Sequence, residues 1–310
     1  MRFLSSATSD SNTFLLSIRL TLRRAWTSPV LFGIVLLVLA PLMPSAQPHA
    51  LFTSTSTRTA SASSVYVYGR ADFSASTGGN VVASGDFNGD GRPDFVVLNY
   101  QNNTVAILLG KASGGFSKGQ VTYPVGVEPF SAAVGDFNGD GKLDLAIVNQ
   151  TCLPTDNVCP PGSVSILLGN GDGTFQPHVD FATGPDPLSL VVGDFNHDGK
   201  LDLAVGDHVS MIDSGSPGMV SILLGNGDGT FQTHTDFAAG LGVIGLVAGD
   251  FNNDGKLDLV IDNHPAENSN TLSMLLGNGD GSFRPGANLV ADGPPISLTT
   301  GDFNKDGKLD

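Results

Sequence analysis

The decapeptide GDFNGDGKLD at residues 135–144 occurs four more times with small changes. The other copies are GDFNGDGRPD at 85–94, GDFNHDGKLD at 193–202, GDFNNDGKLD at 249–258 and GDFNKDGKLD at 301–310. Their leading residues, Asp86, Asp136, Asp194, Asp250 and Asp302, are spaced by 50, 58, 56 and 52 residues. A repeat of that period signals stacked supersecondary units, each too small to bury its own apolar face.

A second phrase alternates with the first: VAILLGKASGGF from Val105, VSILLGNGDGTF from Val164 and again from Val220, and LSMLLGNGDGSF from Leu272. A third, Asp180-Phe181 and Asp236-Phe237, matches Asp72-Phe73. Read in order, a short apolar strand (188–192) enters the Asp loop and another leaves it (201–205, or 143–148). A variable loop leads to a third strand alternating at Val164, Ile166 and Leu168, and NGDG supplies the turn residues that tolerate positive φ in tight hairpins. A more polar fourth strand, 175–181, closes the unit. Four short antiparallel strands per repeat and no sustained 3.6-residue period predict an all-β chain of propeller-like blades. The glycines of 169–173 resemble a dinucleotide loop only superficially, because Thr174-Phe175 resumes a strand instead of opening a helix.

Within the decapeptide the spacing is D-x-N-x-D-G-x-x-D. Hard oxygen donors at positions 1, 3 and 5 of a tight loop converge, glycine at position 6 allows the turn, position 7 offers its carbonyl, and position 9 adds a carboxylate. That set suits Ca²⁺ and exceeds what Mg²⁺ usually takes from protein alone. The expected ligands are Asp86, Asn88, Asp90, Arg92 (by its carbonyl) and Asp94, then Asp136, Asn138, Asp140, Lys142 and Asp144. They continue as Asp194, Asn196, Asp198, Lys200 and Asp202, and as Asp250, Asn252, Asp254, Lys256 and Asp258. Asp302, Asn304, Asp306, Lys308 and Asp310 make up to five calcium sites, the fifth incomplete because the chain stops there. An EF-hand would need Glu at position 12, where Val97, Ile147, Val205 and Ile261 stand instead.

The aspartates of these loops are half of the 30 acidic residues, and they account for the formal charge of −15. So acidic a chain is not expected to bind nucleic acid, whose phosphates want the opposite sign. Without metal the clustered carboxylates repel one another and oppose folding.

Arg19, Arg23 and Arg24 precede the apolar run PVLFGIVLLVLA (29–40) and the small residues Ser45 and Ala46. This basic–apolar–small order makes residues 1–46 a secretory signal, or in the alternative an N-terminal membrane anchor. Residues 47–69 form a Ser/Thr-rich linker, and 70–310 carry the repeats. Cys152 and Cys159, the only cysteines, sit in one loop and are expected to close a small disulfide ring in an oxidising compartment.

The repeated decapeptides resemble the FG-GAP/VCBS repeat family, related to the calcium-bearing blades of integrin α-subunits, over about 70–310. The resemblance implies a β-propeller with calcium between the first and second strands of a blade, and extracellular roles in adhesion, ligand binding or carbohydrate recognition. One departure is Pro93, which takes the place of leucine at position 8 of the first loop. Counting whole units gives about four blades plus the opening strand of a fifth, so the expectation is an incomplete propeller from a longer protein, with a leading strand near 70–76.

Three functions follow from these readings. The first is a secreted or cell-surface binding or adhesion module, not an enzyme, with structural calcium and a protein or glycan ligand. The second is a lectin-like propeller, which the scarcity of aromatic platforms weakens: the only Trp is Trp26, in the N-terminal segment, and the tyrosines are Tyr66, Tyr68, Tyr100 and Tyr123. The third is the non-catalytic part of a larger secreted enzyme; no HExxH, nucleophile elbow or Cys/His pair is present. His208 and His264, and His178 and His234, occupy repeated positions and read as solvated blade edges. Phe137 and Phe195 read as repeated core residues.

Overall fold

Each repeat folds as one antiparallel sheet in which strands consecutive in sequence are neighbours. A computed structural model describes residues 79–117, 121–151, 159–208, 218–240, 242–263, 271–291 and 297–309. The segment 1–46, the linker 47–69 and the leading strand expected near 70–76 lie outside the described residues, as do His264 and Asp310. The first sheet comprises β1 (Gly79–Gly85), β2 (Asp94–Asn99), β3 (Thr104–Leu108) and β4 (Val121–Pro124). The second comprises β5 (Pro129–Gly135), β6 (Asp144–Asn149), β7 (Pro161–Leu167) and β8 (Val179–Pro185). The third comprises β9 (Pro187–Gly193), β10 (Asp202–Asp207), β11 (Gly218–Leu223) and β12 (Thr235–Gly240). In the fourth, β13 (Val243–Gly249), β14 (Asp258–Asn263) and β15 (Thr271–Gly277) are followed by two short pieces, β16 (Phe283–Pro285) and β17 (Leu289–Val290), both paired to β15.

The sheets stack face to face in sequence order, first strand against first strand: β1 on β5, β5 on β9, β9 on β13. The first and fourth sheets do not close on each other, so the four blades form an open array, an incomplete propeller. Stacking explains the sequence pattern. Strands β6, β10 and β14 are buried along their whole length, and they read as near-continuous apolar runs because neighbours cover both faces. Strands β4, β8 and β12 lie at the rim, and their first two residues are exposed, Val121 and Val179 among them. Val97, Ile147, Val205 and Ile261, at the twelfth position counted from each loop's leading Asp, are wholly buried inside these second strands.

Apolar cores fill the three junctions between sheets. Leu98 and Ile107 meet Leu145 and Leu167 in the first; Val148 and Ile166 meet Leu203 and Leu223 in the second; Ile222 meets Leu259 and Ile261 in the third. Each such side chain stabilises by about 1.5–3 kcal/mol on burial. At every junction the phenylalanine of one Asp loop meets, edge to face, the phenylalanine after the next blade's hairpin: Phe87 with Phe175, Phe137 with Phe231, Phe195 with Phe283. A third ring, Tyr123, Phe181 or Phe237, packs on the second phenylalanine.

The hairpin itself reaches back to the preceding loop. Gly173 N–H donates to Phe87 O at 2.9 Å, Gly229 to Phe137 O at 3.0 Å and Gly281 to Phe195 O at 3.1 Å. These glycines have φ of 83–84°, a left-handed conformation natural to glycine alone, which is why NGDG recurs. After Phe175 the chain leaves the ladder, because that ring is drawn into the junction. The fourth strand therefore starts at Val179, later than the pattern of 175–181 implies.

The leucine at position 8 of each loop also docks backwards. Leu143, Leu201, Leu257 and Leu309 reach the loop glycines Gly85, Gly135, Gly193 and Gly249 of the preceding repeat. Among the described residues no loop precedes the first, and there Pro93 stands in place of leucine. Residues 297–300, expected to open a fifth blade, form no strand, although Leu309 keeps the docking register on Gly249. Cys159 is disulfide-bonded, and Cys152, the other cysteine of the chain, lies outside the described residues. Among the described residues no helix is long and apolar enough to cross a membrane.

Candidate metal-binding loops

Each of the first four Asp loops joins the first strand of a blade to its second, so stacking lines these loops along one edge of the array. In the first loop Asp90 N–H donates to Asp86 Oδ1 and Asn88 Oδ1, both at 3.0 Å, and Gly91 N–H donates to Asp86 Oδ2 at 2.7 Å. The same pattern recurs around Asp140, Asp198, Asp254 and Asp306. Oxygens at positions 1 and 3 thus converge on the N–H of position 5. Side chains that imitate backbone turns favour this conformation before any partner blade is present. Glycine at position 6 has φ between 78° and 84° in all five loops.

The ninth residue behaves differently. Asp94, Asp144, Asp202 and Asp258 are buried, with 0% exposure, at the start of the second strand. In the third blade Asp202 Oδ2 accepts from Phe195 N–H at 2.9 Å, inside the loop, and Oδ1 accepts from Gly225 N–H at 2.8 Å, at the end of the third strand. The equivalent bonds tie Asp94, Asp144 and Asp258 to their own loops and third strands. This carboxylate is therefore a clamp between loop and sheet. Burial pushes its pKa up in all four blades, to about 6 for Asp202; the two N–H donors act against this, while the carboxylates at positions 5 and 1 add to it.

At position 7, Lys142 Nζ stands 3.0 Å from Asp140 Oδ2 and Lys200 Nζ 3.4 Å from Asp198 Oδ2, while the Arg92 guanidinium pairs with Asp90. Hydrogen bonds from Lys142 hold the Asp140 carboxyl below its usual range. These pairs are exposed and contribute little to stability. The stems of Lys142, Lys200 and Lys256 all lie against the hairpin glycines of the same blade, Gly171, Gly227 and Gly279.

Among the described residues no three acidic, histidine or cysteine side chains stand together as a ready-made metal centre. Carboxylates 1 and 5 are turned onto backbone N–H groups or a lysine, and carboxylate 9 lies behind them. The donor chemistry nevertheless fits a hard cation. Each loop brings three carboxylates and an amide oxygen to one short segment, and each oxygen of the ninth carboxylate keeps a second lone pair. Asp302, Asn304 and Asp306 repeat the arrangement, while Asp310 lies outside the described residues.

The opposite edge holds polar residues that sequence reasoning missed. Asp186, at a positive φ of 55° just before β9, accepts from Gln150 Nε2 at 2.7 Å and lies 3.1 Å from His208 Nδ1. Away from that edge, just ahead of the fourth strands, His234 Nδ1 is 2.7 Å from Asp236 Oδ1, and His178 Nε2 is 3.6 Å from Asp180 Oδ2. These histidines are half-buried polar pegs against carboxylates, which corrects the expectation of solvated blade edges. A polar residue ending each apolar second strand (FVVLN, LAIVN, LAVGD, LVIDN) is the sequence signal that marks this edge.

Among solved structures the chain is similar to the V. cholerae biofilm matrix protein Bap1, with 20% identity and a TM-score of 0.33 over 71% of this chain and 40% of that one. The chain thus spans well under half of that protein's length. No curated protein matches it. Residues 86–147, 157–205 and 209–261 match the FG-GAP-like repeat, and 129–167 also match the FG-GAP repeat. With more than half of its length so matched, and with each blade built on the same Asp loop and hairpin, the chain belongs to the FG-GAP-like repeat family.

Proposed function

We propose that this chain is an exported, non-enzymatic binding or adhesion module whose Asp loops take up calcium as a structural cation. The observation that carries the reading is the same oxygen set on one edge of every blade, with positions 1 and 3 already converging. Membership of the FG-GAP-like family and the basic–apolar–small N-terminal segment support an extracellular setting. Bound calcium supplies a charge that offsets the repulsion of three carboxylates and joins loop to strand. The ligand is an extracellular protein or glycan.

Extracellular calcium modules bind at about 10⁻⁴ to 10⁻³ M. At millimolar calcium, a site of about 10⁻⁴ M adds roughly 1.4 kcal/mol by mass action. Four such loops are expected to raise the melting temperature by on the order of 10 °C relative to chelator. Calorimetric titration should count four or five ions per chain; no binding by a folded sample overturns the reading.

The pH dependence has a definite sign. Because burial raises Asp202 to about 6, its contribution to metal-free stability is present below the unfolded value and is lost as pH rises through about 6. Calcium needs the ionised form. The melting curves with calcium and with chelator are therefore expected to converge near pH 5 and to separate above pH 6.

A further inference from the structure

At the end of the second strand farthest from the Asp loop, each blade buries a polar side chain in the last position, Asn99, Asn149, Asp207 or Asn263, and the fourth blade also buries Asp262. The second blade shows how this position is satisfied. Asn149 Nδ2 donates to Ser165 Oγ at 2.9 Å, Ser165 donates to Asp180 Oδ1 at 2.5 Å, and Gly126 N–H donates to Ser165 Oγ at 3.0 Å. The hydroxyl thereby uses its one hydrogen and both lone pairs.

The third blade repeats the frame with one change. Gly184 N–H reaches Ser221 Oγ at 3.0 Å, and Ser221 Oγ lies 2.7 Å from Asp236 Oδ1. Where asparagine stood, Asp207 places Oδ2 at 2.6 Å from Ser221 Oγ. Ser221 has one hydrogen and faces two carboxyl groups at bonding distance. With both ionised, one contact would join two acceptors with no proton between them. Asp207 is 0% exposed, and its Oδ1 has no partner, just as Asn149 Oδ1 has none. A neutral carbonyl oxygen tolerates this at far lower cost than a charged one.

We propose that Asp207 is a neutral carboxylic acid in the folded protein, donating to Ser221 as Asn149 donates to Ser165, and that the third blade loosens when alkaline medium removes this proton. The surroundings agree. Burial pushes the Asp207 carboxyl up to about 8, and Asp236 and Asp186 add to that push against the hydrogen bond from Ser221. His234 and His208 face these flanking carboxylates, Asp236 and Asp186 respectively. From β9 and β13, the neutral side chains Ser189, Val243 and Leu246 stand nearest the adjacent Gly206. A group whose folded pKa is raised stabilises fully below its unfolded value and loses that contribution as pH rises through the folded one. None of this depends on calcium in the Asp loops.

The test is thermal melting of the full chain in chelator from pH 6 to pH 9, for wild type, Asp207→Asn and Asn149→Asp. Wild type is expected to fall by roughly 5–10 °C over that range. Asp207→Asn should fall markedly less and be the more stable chain at pH 9, and Asn149→Asp should fall further than wild type. Infrared difference spectra between wild type and Asp207→Asn at pH 7 should show the carbonyl stretch of a protonated carboxyl. Parallel pH profiles for wild type and Asp207→Asn, failure of Asp207→Asn to fold, or absence of that band overturns the proposal.

Discussion

Gly225→Ala is expected to lower the melting temperature by roughly 5–15 °C, with or without calcium. The glycine ends the third strand of the third blade, where an added Cβ would sit 2.2 Å from the backbone oxygen of Leu201. That neighbour is main chain of the Asp loop and cannot rotate away, so the third strand must move off. Overpacking of this kind costs about 1–3 kcal/mol. The movement also strains the bond from Gly225 N–H to the buried Asp202, and an unsatisfied buried group costs about 1–3 kcal/mol more. Gly169 and Gly277 meet the carbonyls of Leu143 and Leu257 at 2.1 Å, and the same outcome is expected there. Gly245→Ala is the control: its Cβ would meet nothing closer than 3.9 Å, and a change within about 0.5 kcal/mol is expected. Equal losses at Gly225 and Gly245 in thermal melts would contradict this account of the LLG glycine.

Phe137→Ala should cost about 3–5 kcal/mol, the usual loss for a buried phenylalanine. Its ring is 2% exposed, stacks edge to face on Phe231, and belongs to a residue whose carbonyl receives the hairpin N–H of Gly229. The cavity would open at the junction of the second and third blades, so protection from hydrogen exchange should fall on both sides of it. Phe303→Ala changes the same motif position in the fifth loop, where the ring is 57% exposed, and should shift stability by no more than about 0.5 kcal/mol. If chemical denaturation gave the two substitutions similar effects, the inter-blade role of the loop phenylalanine would be wrong.

These paired substitutions show how far reading the chain alone could go. The D-x-N-x-D-G turn and the NGDG hairpin are local structures, closed by side-chain oxygens and positive-φ glycines within a few residues, so their chemistry is legible in the letters. The apolar second strands were legible for a related reason: a continuous run of LAIV or LAV type marks burial on both faces. The sequence pattern places the fourth strand four residues early because Phe175 has a partner, Phe87, in the preceding blade. His178 and His234 stand two residues from the carboxylates they face, Asp180 and Asp236, whereas His208 meets Asp186 across twenty-two residues, a contact that no local spacing announces.

Sequence alone carried the all-β class, the four-stranded unit and the number of complete blades, since each depends on contacts within one repeat. Tertiary packing separated residues that the motif treats as equals. It leaves the position-1 aspartates of the first four loops half-buried while burying the one at position 9 as a clamp, and Phe137 is 2% exposed where Phe303 is 57% exposed. It also surrounds Asp207 with two further carboxylates where a neighbouring blade has an asparagine. The physical reason is that burial and charge environment are set by strands and blades brought together over tens of residues, a separation that no local spacing rule reaches.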